Sequence, residues 1–153
     1  MLKKHSKFFE SLLLLADWFT LSLAWVSSYY LRFYSGIIPV YKGIPSFKIY
    51  LTLLVFMIPL WGLVFKVFGL YRPRRVSTRF YEILDIGKAS TFATLILISL
   101  TFLYRQYEFS RLTFFYFWLI NIVLLSLTRI LFREFLRFLR QKGYNQRYSL
   151  IIG

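Results

Sequence analysis

Long apolar runs, each closed off by basic side chains, set the pattern of this chain. Ile49 to Phe65 lies between Lys48 and Lys66, and Leu112 to Thr128 lies between Arg111 and Arg129; each run is 17 residues. Ala89 to Tyr104, between Lys88 and Arg105, is 16 residues. A fourth stretch runs from about Phe8 to Leu31, with Glu10 near its start and Asp17 inside it. A helix rises about 1.5 Å per residue, so the three fenced runs give about 24–26 Å, slightly less than a hydrocarbon core of about 30 Å. Lys and Arg at the fences can reach the headgroups and cover the shortfall. The pattern therefore predicts four transmembrane helices.

The connections agree. Ser35-Gly36, Pro39, Gly43 and Pro45 make a turn-rich link between the first two spans. Only Arg105 to Arg111 joins the last two, which predicts an antiparallel hairpin. Tyr29, Tyr30, Tyr34, Tyr50, Tyr71, Tyr104 and Tyr107 lie near span boundaries, where tyrosine anchors helices at the interface. Pro59 and Gly62 interrupt the second span, which predicts a kink that shapes packing.

Charge sets the orientation. The N-terminus, the stretch from Lys66 to Lys88 and the tail from Arg129 onward hold 15 Lys and Arg; the other two connections hold 5. Four spans with both termini in the cytoplasm satisfy this bias. The first span is too long, and ends in residues too bulky, for a cleaved signal peptide. It reads as a retained anchor.

Composition narrows the chemistry. The 153 residues carry 20 Lys and Arg against 6 Asp and Glu, a formal charge of +14, and 58% are hydrophobic. That hydrophobic share exceeds the soluble norm of roughly 45–50% and excludes disorder. There is no Cys and one His, so thiol catalysis and thiolate metal sites are excluded. The basic residues flank apolar spans and no nucleic-acid-binding motif accompanies them, so the charge is topogenic and no nucleic acid is expected as partner. The partner expected from these residues is the lipid bilayer.

Asp17 is the one carboxylate well inside a span. It reads either as a proton or substrate site paired with a basic group from another span, or as a carboxyl hydrogen-bonded to a neighbouring helix near the interface. Beyond the fourth span, Arg129, Arg133, Arg137 and Arg140 recur at spacings of 4, 4 and 3 and line one helical face. Phe135, Leu136, Phe138 and Leu139 fill much of the rest. A basic amphipathic helix of this kind can lie along the membrane surface, so these four arginines are the expected lipid-headgroup contacts. Gly143 should end it. Arg72-Pro73-Arg74-Arg75 reads as a solvated topogenic loop with lipid-diphosphate binding as its alternative, and Glu82 with Asp85 as charge balance at a helix start. Neither catalytic nor cofactor or metal ligands are identified.

The tail Tyr148-Ser149-Leu150-Ile151-Ile152-Gly153 changes to strand-forming residues. Its Gly stands where a dinucleotide-binding turn would open. Together with Gly69-Leu70-Tyr71-Arg72-Pro73-Arg74-Arg75, Tyr107-Glu108-Phe109-Ser110-Arg111 and Lys142-Gly143-Tyr144-Asn145-Gln146-Arg147, it resembles the N-terminal region of polyprenyl-phosphate hexose-1-phosphate transferases of the bacterial sugar transferase family. These include the undecaprenyl-phosphate glucose and galactose phosphotransferases. The resemblance implies an all-α membrane domain over 1–128, a cytoplasmic amphipathic helix over 129–143, and the start of a truncated Rossmann-like domain over 144–153. It further implies a bacterial inner-membrane protein of exopolysaccharide or O-antigen assembly. Polyprenyl phosphate and a UDP-sugar would be met through a separate catalytic domain that uses Mg²⁺ and an Asp-Glu pair, so this chain itself would not catalyse the transfer. Homo-oligomerisation is left open. Two alternatives stand beside this reading: the membrane region of a nucleotide-sugar 4,6-dehydratase or epimerase, and a standalone four-helix scaffold of a polysaccharide-assembly complex.

Overall fold

The computed structural model describes residues 2–40, 43–71, 79–103 and 109–141. It is all-α, with four helices: α1 (Leu2–Phe33), α2 (Phe47–Val67), α3 (Arg79–Leu103) and α4 (Arg111–Gln141). Each contains a stretch long and apolar enough to cross a membrane: Glu10–Phe33, Phe47–Val67, Phe80–Leu103 and Arg111–Phe135. The most extensive packing is between α1 and α4, and smaller contacts of α4 with α3, α3 with α2 and α2 with α1 close an antiparallel ring. The start of α1 and the end of α4 therefore lie at one end of the bundle, hereafter the termini end.

The helices are longer than the apolar runs that announced them. α3 begins at Arg79, about ten residues before Ala89, because an isolated Lys88 does not break a helix whose other residues propagate it. Glu82 lies in its first turn, as a carboxylate near a helix N-terminus should. α4 runs unbroken through Arg129 to Gln141, so the segment from Arg129 onward continues the helix of the fourth span. The described helix shows no boundary at 128, and the expected stop at Gly143 and strand at 150–153 lie outside the described residues. α2 continues through Pro59.

The interior is not simply apolar. Ile86, Ala89, Ser90, Ala93, Thr94 and Leu97 recur at helical spacing and give α3 a narrow inner face, which lets backbones approach in lipid. Asn121 on α4 donates to the Ser90 hydroxyl across that face at 3.4 Å. Large apolar side chains such as Phe19, Val55, Leu63, Leu95 and Phe102 point outward. This suits a solvent of acyl chains.

At the end opposite the termini, aromatic rings fill the bundle. Trp25 stacks on Tyr50 at 5.6 Å and meets Phe117 edge-on at 5.2 Å, while its indole N–H donates to the Tyr50 carbonyl at 2.9 Å. The Tyr29 hydroxyl donates to the Pro45 carbonyl at 2.8 Å, and the Ser110 amide donates to the Tyr50 hydroxyl at 3.3 Å. The expectation that boundary tyrosines anchor the bundle to the interface is thus corrected for three of them. Tyr29, Tyr50 and Tyr71 are buried between helices because a phenol with an internal partner does not need the headgroup layer. Tyr30 and Tyr34 are exposed, and Tyr104 and Tyr107 lie outside the described residues.

Replacing Ala93 with Leu should wedge α3 away from its neighbours and cost about 1–3 kcal/mol. Replacing Leu95, on the outward face, with Phe should be close to neutral. Thermal unfolding of the detergent-solubilised protein checks both; equal effects would contradict the inward assignment of Ala93.

Candidate functional site: a polar clamp at the termini end

The clamp begins with the way α2 stops. Gly69 adopts φ +68°, its amide donates to the Lys66 carbonyl at 3.1 Å, and the Leu70 amide donates to the Phe65 carbonyl at 3.0 Å. This is a Schellman ending, in which glycine takes the left-handed position that other residues resist. It turns the chain so that Tyr71 folds back into the bundle.

There Tyr71 meets a buried ion pair. Arg129 Nη2 on α4 donates to Asp17 Oδ2 on α1 at 2.8 Å, and each side chain is only 4% exposed. The guanidinium carbon lies 5.6 Å from the centre of the Tyr71 ring, a cation–π contact. Three parts of the chain converge here: a carboxylate inside the first span, an arginine at the fourth, and a glycine-driven reversal after the second. One helical turn toward the bundle interior, the hydroxyls of Thr20 and Thr128 meet at 3.0 Å. One turn outward, Arg133 pairs with Glu82 of α3 at 2.7 Å, both partly exposed. Asp17 Oδ1 and Arg129 Nε and Nη1 are buried without a hydrogen-bond partner among the described residues. The pair is therefore incompletely satisfied, and the facing Tyr71 ring supplies part of what the guanidinium lacks.

Burial pushes the Tyr71 phenol above the ordinary tyrosine value of 10.0, and the adjacent Asp17 carboxylate pushes the same way; Arg129 opposes them. The folded state thus holds the neutral phenol. Its stabilising contribution is fully present below about pH 10 and is lost as the pH rises through the folded value.

The four arginines of the expected headgroup face are distributed unequally. Arg129 is sealed inside the bundle on Asp17, so it is not available to a headgroup in this arrangement; its placement follows from the continuity of α4, which carries it to the depth of Asp17. Arg133 reaches Glu82, and Arg137 is exposed and pairs along its own helix with Glu134 at 3.2 Å. Arg140 belongs to α4, and its side chain lies outside the described residues. Arg129 and Arg133 turn toward α1 and α3, while Leu131, Phe135 and Phe138 are exposed on the other side. Asp17 is paired with a basic group from another span, a hydrogen bond to a neighbouring helix that both readings of it contain. Arg72, Arg74 and Arg75 lie outside the described residues.

Beside the clamp, an open groove of about 650 Å³ runs along the outward face of α3, flanked by Phe68 and Ile122. No group of three or more His, Asp or Glu placed to hold a metal occurs among the described residues.

Comparison with known proteins gives one family. The family model described as a CoA-binding domain matches residues 66–153, more than half of the chain, and the domain is found in proteins associated with bacterial sugar transferases. No curated protein and no solved structure matches.

Removing one member of the clamp should be far worse than removing both. Asp17→Ala or Arg129→Ala leaves an uncompensated charge in a low-dielectric site and should cost about 3–5 kcal/mol. The double variant Asp17→Ala with Arg129→Met should recover most of that loss. A double-mutant cycle on unfolding in detergent measures the coupling; additive losses would show that the two charges do not act together. In a second test, Tyr71→Phe should leave the phenolate absorbance near pH 11 unchanged, since Tyr71 stays neutral where ordinary tyrosines ionise. A loss of one phenolate equivalent would contradict its burial.

Proposed function

This chain belongs to the CoA-binding domain family, and from that premise we propose that it is the membrane-anchoring portion of a sugar-1-phosphate transferase. The full protein would move a hexose-1-phosphate from a UDP-sugar to undecaprenyl phosphate in exopolysaccharide or O-antigen assembly. The observation that carries the reading is the family match over 66–153, in a domain found in sugar-transferase-associated proteins, lying on a bundle of four apolar helices. The order of short motifs from Gly69 to Gly153 supports it.

On this reading the bundle acts by placement. The basic bias toward the termini end supports a cytoplasmic position for that end, in what would be a bacterial inner membrane. The clamp fixes α4 against α1 at the boundary, and α4 continues outward as a rigid stalk toward the parts that bind the UDP-sugar and, with Mg²⁺, transfer the phosphosugar. Arg137 and Arg140, beyond the sealed Arg129 and the paired Arg133, are the remaining headgroup contacts on this stalk.

The family's description names CoA, and the described residues of the matched stretch do not fit it. A nucleotide with several phosphates needs converging polar donors. The groove beside α3 offers Lys88 and Thr91 amid apolar side chains, and the Thr91 hydroxyl is already engaged by Gly87 and Trp118. No step of the proposed function runs through CoA.

The test is to extend the coding sequence beyond the Gly153 codon and assay membranes containing the protein so encoded. Supplied with radiolabelled UDP-hexose and undecaprenyl phosphate, they should move label into the organic-extractable lipid fraction and release UMP. Label appearing in a 4-keto nucleotide sugar, with none in lipid, would establish the dehydratase alternative instead. Absence of both products, with the chain stable alone in membranes, would favour the scaffold.

A further inference from the structure

The groove on α3 has a shape and a charge that the anchoring role leaves unused. It extends along α3 from Ile83 to Leu95. Twelve residues of helix rise about 18 Å, close to the roughly 15 Å that one leaflet contributes to the hydrocarbon core. Its outer end lies level with the Glu82–Arg133 pair, and from there it runs toward the middle of the bundle. The groove therefore runs from the boundary marked by Lys88 into the half of the bundle at the termini end.

Two residues define it. Gly87 leaves it open: a side chain there would meet nothing within 4 Å. Lys88 lies beside that gap, exposed, and no ion pair engages it among the described residues. This sets it apart from the neighbouring charges, since Arg129 has Asp17 and Arg133 has Glu82. The other polar group of the groove, the Thr91 hydroxyl, donates to the Gly87 carbonyl at 2.8 Å and accepts from the Trp118 indole at 3.0 Å. What remains is an open apolar groove with Lys88 in its outer half, a cation that no ion pair engages among the described residues. A flexible lysine stem carries its ammonium toward the headgroups.

We propose that this groove holds one acyl chain of an anionic phospholipid from the leaflet at the termini end, with the lipid phosphate on the Lys88 ammonium. A chain against Gly87, Phe92 and Leu95 fills the channel, and the phosphate supplies the charge that Lys88 lacks. A zwitterionic lipid fills the channel equally well but offers Lys88 no net charge, so preference, more than occupancy, depends on the lysine.

Native mass spectrometry of the purified chain, exchanged into neutral detergent with equal phosphatidylglycerol and phosphatidylcholine, tests this. The unaltered protein should retain phosphatidylglycerol in preference. Lys88→Gln should reduce that preference about fivefold, the effect of one basic residue at an anionic surface. Lys66→Gln, at the end of α2 and outside the groove, should leave it unchanged. Gly87→Leu should displace both lipids, and because leucine favours helix over glycine, circular dichroism should show the fold intact. Undiminished preference in Lys88→Gln, or lipid still retained by Gly87→Leu, would overturn the proposal. So would a dimer that Gly87→Leu splits, since the occupant would then be a second copy of the chain.

Discussion

The arrangement of this bundle turns on one ion pair. Neither Asp17 nor Arg129 is tolerable alone in a hydrocarbon environment, where an isolated charge at a helix centre costs about 2.5–3.5 kcal/mol even on the most lenient scale. At 2.8 Å, with both side chains almost wholly covered, they pair in one register and one rotation of α1 against α4. A shift of either helix by a single turn would strand both. The pair need add little net stability to have this effect, because its influence lies in making the alternatives worse. Rotation of α4 then decides which of its faces looks inward, and so brings Arg133 to Glu82 and leaves Leu131, Phe135 and Phe138 outside.

From that constraint the two ends of the bundle acquire different characters. The far end is closed by aromatic packing around Trp25 and Tyr50, with each polar atom of the rings given a backbone partner at short range. The termini end is closed by charge, with Tyr71 covering the guanidinium and two threonine hydroxyls stacked beneath. Apolar residues face outward almost everywhere between. The surface signals membrane and the interior carries the specificity, which is the reverse of a water-soluble domain.

Much of this was legible in the apolar runs and their basic fences, because spanning a bilayer imposes a length that sequence displays directly. Helix number followed from that length, and the pairing of α3 with α4 from their short connection. The ends were less legible. Arg129 looked like a fence and therefore like a headgroup ligand, since local sequence does not say whether a helix continues past its last apolar residue. Depth arithmetic held the missing signal. From Arg32 to Asp17 along α1 is about 22 Å, and from Arg111 to Arg129 along α4 about 27 Å, a difference of roughly one turn. Two opposite charges at nearly equal depth on antiparallel helices are candidates to pair. Tyr71 was less accessible still, because its position depends on the left-handed turn at Gly69, and only the fold shows what that turn brings it against.

The distance in sequence between Asp17 and Arg129 has a consequence for how the protein is made. The two lie 112 residues apart, so the first span is synthesised, and can enter the membrane, long before its partner exists. At about 5–20 residues per second, the carboxylate waits roughly 6–22 s for α4 to leave the ribosome. During that interval α1 must keep Asp17 protonated, hydrated at the interface or sheltered by the insertion machinery. Only when the fourth helix arrives can the first settle to its final depth. The fourth span therefore completes the insertion of the first.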